Sequence, residues 1–146
     1  MIAQTIQLAL APVFMLVAIG NIMNILSTRL GRVVDSSRHL QAQHRDTEGP
    51  DHDMVVIEIR LIDRRIALIG RALLLLVTAA VIIGLTVGLL FVEEIAGFSL
   101  QRVAAATFFA AVALMMVPPL LYLYETRIAT AALRIPKDFL ELDRKL

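Results

Sequence analysis

Residues 61–92 read LIDRRIALIGRALLLLVTAAVIIGLTVGLLFV, and the change of character at Arg71 decides the fold. Before Arg71, Ile62, Ile66 and Ile69 recur at four-three spacing among Asp and Arg, the pattern of a helix with one apolar stripe. After it, residues 72–92 hold no charged side chain, and Leu73 and Leu76 carry the same stripe onward without a break. One helix therefore runs from a polar medium into an apolar one. At about 1.5 Å per residue the charge-free part covers a hydrocarbon core of roughly 30 Å. Fourteen of its residues are Leu, Ile, Val or Phe. At the insertion scale for such residues they contribute about −4 to −8 kcal/mol, so insertion is secure.

Working outward, residues 1–28 and 103–124 also lack charge. With 58% hydrophobic and 18% charged residues in 146 and a mean hydropathy of +0.77, a soluble domain is excluded. The expectation is a single all-α integral membrane domain, 1–146, with three transmembrane helices at about 5–28, 72–92 and 103–124. Arg29, Arg32, Arg38, Arg45, Arg60, Arg64, Arg65 and Arg71 fill the first connection, Arg127, Arg134, Lys137, Arg144 and Lys145 the tail, and Arg102 alone the second connection. The positive-inside rule makes the chain N-out/C-in, with residues 29–71 and the tail 125–146 in the cytoplasm. The bases read as topology determinants rather than as a head-group site. The first segment is not a signal peptide, because its bases follow the apolar run instead of preceding it. The absence of cysteine excludes disulfides and thiolate metal sites.

The cytoplasmic connection has helical order. Leu26, Leu30, Val33, Ser37, Leu40 and His44 form one four-three stripe; Val55, Ile59, Ile62, Ile66 and Ile69 form another. Between them lies DTEGPDHD, residues 46–53, where Gly49 and Pro50 break a helix and Asp51 suits the start of the next. The first two helices are thus expected to extend into a cytoplasmic helical hairpin, packed on itself or in an oligomeric bundle. A short tail helix is expected from Pro136, with Phe139, Leu142 and Leu146 lying on the membrane or on the hairpin.

Polar groups inside the spans are the candidate sites. In IGNIMNILSTR, residues 19–29, Asn21 and Asn24 share a helical face roughly 9 Å or less from the cytoplasmic boundary. Thr78 reaches the same depth on the second span and can meet Asn21. Two roles are open: bonds that fix helix packing, which is preferred, or the lining of a polar path, for which Thr86 and Thr107 are further candidates. Gly84 and Gly88 form a GxxxG motif that admits a close helix from this chain or another, and Ala104, Thr107 and Ala111 form a similar small face. Pro118 and Pro119 free the carbonyls of Leu114 and Met115 and favour a kink. Arg29, Arg71 and Glu125 end their spans at one level and are expected to form an ion pair on the cytoplasmic face.

Chemistry beyond packing is weakly marked. His39, His44 and His52 never take the i, i+4 spacing that sets two imidazoles on one helical face, and none lies within a span to hold haem. No Ser-His-acid grouping, phosphate-binding glycine loop or paired intramembrane carboxylate is present in the sequence pattern, so no catalytic residue, metal or cofactor is expected, and the chain is not expected to be an enzyme.

The stretches APVFMLVAIGNIMNILSTRLGRVVDSSRHL, LIDRRIALIGRALLLL and YLYETRIATAAL together resemble the small bacterial three-span membrane proteins catalogued as domain of unknown function 2721. That resemblance covers most of the chain. It implicates Arg29, Arg32, Asp35, Arg38, Arg64, Arg65 and Glu125, implies a bacterial inner (plasma) membrane, and supplies no activity. The expected function is a non-enzymatic helical scaffold or accessory subunit. The alternative is a small homo-oligomeric ion channel or ion-coupling module, since the topology is similar to that of pentameric motor-type proton channels. Expected partners are the lipid bilayer and a homo-oligomer or other membrane subunits, with no nucleic acid.

Overall fold

The computed structural model describes the backbone of residues 2–97 and 99–132 and the side chains of residues 3–97, 99–124 and 126. Three helices follow one another: α1 (Ile2–Asp46), α2 (Pro50–Ala96) and α3 (Gln101–Ala132). All three are long and apolar enough to cross a membrane. α2 is the middle helix and packs against both neighbours.

The break at the hairpin tip is the expected one. Gly49 takes φ 70°, which a side chain would strain, and Pro50 opens α2 with Asp51 and Asp53 in its first turn. α2 then runs on to Ala96, four residues past the charge-free stretch, with Glu93 and Glu94 in its last turns. Gly97, also at φ 70°, ends it in the left-handed conformation and donates its amide to the Glu93 carbonyl at 3.0 Å. α3 likewise exceeds the expected span, continuing past Tyr124 to Ala132 because no helix breaker intervenes before Pro136. The tail helix expected from Pro136 lies outside the described residues.

A seven-residue repeat holds α1 to α2. Thr5, Pro12, Ile19, Leu26 and Leu40 are buried on α1, with Val33 half-buried in the same register. Ile62, Ile69, Leu76 and Ile83 answer them on α2. The pairing reaches both ends. Thr5 Oγ1 donates to Glu94 Oε2 at 3.1 Å at one extreme, and the His44 and His52 rings lie 4.3 Å apart at the other. Thirty-nine residues of α1 separate these contacts, a helical length of about 60 Å, twice the hydrocarbon thickness. The paired helices are therefore longer than a hydrocarbon core is thick.

The seam between α2 and α3 is made of smaller groups. Ala72, Ala79 and Thr86 recur every seven residues on α2 and are buried, as are Ala104, Ala111 and Pro118 on α3. Small side chains let two backbones approach in lipid, where no hydrophobic force drives helices together. Thr86 Oγ1 donates to Thr107 Oγ1 at 2.9 Å and also reaches the Ile82 carbonyl at 2.9 Å, while Thr107 Oγ1 donates to the Ala104 carbonyl at 3.0 Å. The small face expected on α3 is thus engaged inside the chain.

Candidate functional site

Asn21 and Asn24 are both exposed, on the side of α1 turned away from α2. The reason is angular. Asn21 follows Ile19 by two residues, roughly 200° around the helix, so a stripe that buries Ile19 and Leu26 must expose both amides. Neither amide side chain has a hydrogen-bond partner among the described residues. Thr78, also exposed, donates instead to the Leu74 carbonyl of its own helix at 2.8 Å. The contact between Asn21 and Thr78 that their common depth allows is not formed, because equal depth does not place residues on facing sides.

Gly84 and Gly88 show the same effect. Both are exposed, and a Cβ built at either would meet nothing within 4 Å. Within the chain they receive neither α1 nor α3, since each lies off the register of Ile83 and Thr86 that the neighbours use. Thr86 and Thr107, weighed above as path-lining groups, face one another across the α2–α3 seam.

On the side of α1 nearer α3, an apolar groove of about 250 Å³ opens between the two helices, lined by Ile22, Ile25, Leu26, Pro118, Pro119 and Tyr122. Pro118 forms part of its floor and is buried, whereas Pro119 is exposed. Arg29 closes the end nearest the charge-free boundary, its guanidinium carbon 4.4 Å from the centroid of the Tyr122 ring. Such stacking contributes about 0.5–2 kcal/mol depending on desolvation. The groove suits a hydrocarbon chain, and the arginine sets a fixed cation beside it. Arg71 is exposed at the same level on α2. The side chain of Glu125, the expected partner of Arg29 or Arg71, lies outside the described residues.

At the hairpin tip the fold joins two histidines that linear spacing keeps apart. His52 Nδ1 lies 3.1 Å from the Thr47 carbonyl, and its ring meets that of His44. Among the described residues no group of three or more His, Asp or Glu is placed to hold a metal ion. The bond from Thr5 to Glu94 was equally invisible in local sequence. Its one signal is that Thr5 continues the seven-residue repeat through Pro12 and Ile19.

The family described as "Protein of unknown function (DUF2721)" matches residues 9–135. This chain belongs to that family. No curated protein and no solved structure matches it significantly. The match spans all three helices, so the multi-pass membrane arrangement belongs to the family's region of the chain, while residues 136–146 fall beyond it.

Proposed function

We propose that this DUF2721 protein is a non-enzymatic helical scaffold or accessory subunit of the bacterial inner membrane. It lies N-out and C-in, with the hairpin in the cytoplasm, and its α1 receives a further helix. The observation that carries this reading is the pair of exposed amides, Asn21 and Asn24, on a face with Phe14 and Val17. Leu10, Phe14, Val17, Asn21, Asn24 and Thr28 recur at four-three spacing, the seam pattern of a second helix–helix contact. Hydrocarbon offers an amide no hydrogen-bond partner, whereas a second copy brings both donor and acceptor to the same level. Lipid alone is a poor neighbour for this face.

The channel remains the second reading, favoured by the same two amides, since an oligomer closed around α1 would ring them about its axis. The test is to reconstitute the protein and an Asn21→Leu, Asn24→Leu variant in sealed vesicles, measuring native mass and ion leakage together. Interhelical hydrogen bonds in membranes average about 0.6 kcal/mol and reach about 2, so the scaffold reading expects weaker assembly of the variant and no flux from either protein. Wild-type flux that vanishes in an intact variant oligomer would replace the scaffold by the channel.

A further inference from the structure

Exposure of apolar side chains needs no cover where lipid surrounds them, but it does where water does. On α2, Met54, Ile57 and Leu61 are 70%, 59% and 56% exposed. Leu61 precedes Ala72, where the charge-free span starts, by eleven residues. That is about 16 Å along a helix, beyond the roughly 5–8 Å of head-group region on each side of the core. The spacing of three and four puts the three side chains in one row. This row continues the α3-facing side of α2, reached from Ala72 and Leu68 by steps of three or four residues.

We infer that this row is the docking surface of the chain's own C-terminal segment, residues 133–146. Register supplies the first reason. Thr107 bonds Thr86, and Pro118 lines a small gap with Ala72, so on antiparallel helices Ala132 stands level with residues 58–61. The described part of α3 therefore ends beside Leu61, and the remaining fourteen residues start where the row lies open. Even as a helix they span about 21 Å, twice the distance of about 10 Å from Leu61 to Met54. Sequence pattern supplies the second reason. Ile135, Phe139, Leu142 and Leu146 recur at four-three spacing, as one apolar stripe that matches another. Docking extends the two-helix hairpin to a third strand of apolar contact and does not depend on what α1 binds in the membrane.

The chain has no cysteine, so single and paired cysteines report without a background. In vesicle-reconstituted protein, Ile57→Cys should react with a soluble maleimide about tenfold or more slowly than the same variant ending at Ala132, the factor that about 1.4 kcal/mol of docking free energy supplies. Phe139→Asp with Leu142→Asp, which keeps the chain length, should restore the fast rate. Met54→Cys paired with Phe139→Cys, which stand at one level in this register, should form a disulfide under mild oxidation. In a mixture of isotopically light and heavy chains, the linked peptides should be of one isotope. Equal maleimide rates with and without the segment would overturn the inference. So would mixed-isotope links, which would assign the row to a second copy, or protection that appears only with anionic lipid, which would assign the segment to the membrane surface.

Discussion

The two halves of the α1–α2 pair, one charge-free and one rich in charge, use one seam. In the charge-free half Ile19, Leu26, Leu76 and Ile83 are buried, and in the charged half Leu40 and Ile62 continue the same seven-residue register. Outside the seam they diverge. Leu74, Val81 and Leu85 face outward within the span at no cost, because lipid tails are as apolar as leucine. Equal exposure of Ile57 and Leu61 is a hydrophobic surface wherever the surrounding medium is water. Exposure thus measures a liability only once the surrounding medium is known. Burial is read the same way: in the hairpin it removes apolar area from water, and in the span it exchanges lipid contact for closer packing.

The largest effect should come from truncating the seam. Leu40→Ala removes apolar burial from water and is expected to lower the unfolding free energy of the reconstituted protein by about 2–5 kcal/mol. Leu76→Ala, as deeply buried but within the span, is expected to lower it less, since only packing is lost. A larger loss for Leu76→Ala would break the comparison. Next comes charge on the outer face. Leu85→Asp, near the middle of the second span, should cost about 2.5–3.5 kcal/mol of insertion free energy. Leu61→Asp, similarly exposed, should leave insertion unchanged, and protease protection of the span reads both. The smallest effects concern the second seam. Thr86→Val should weaken α2–α3 packing by about 0.6 kcal/mol, the average for interhelical bonds in membranes. Gly84→Ala should leave the native mass intact, since its Cβ meets open space. A loss of mass would restore the GxxxG face as a contact between copies.

Much of this protein follows from its sequence alone. Three charge-free stretches dictate three membrane helices, because no polar backbone arrangement other than a helix or a closed barrel survives in hydrocarbon. The seven-residue repeat around Arg71 joins span to hairpin, and Gly49 with Pro50 places the turn. Family membership was also legible, in the basic patch, the Arg-rich approach to the second span and the end of the third.

Facing was decided only by tertiary structure. Periodicity lists which residues share a side, but the side a neighbour takes depends on competition between stripes. Ala72, Ala79 and Thr86 are the small residues that α3 covers, and Gly84 and Gly88 are left outward. Asn21 was turned from Thr78 for the same reason, although both lie at one depth. Contacts that join distant positions, Thr5 with Glu94 and His44 with His52, exist only because two helices of 45 and 47 residues hold one register along their whole length. Local sequence encodes the stripe, and the rotation of each helix about its axis is set by all its neighbours at once.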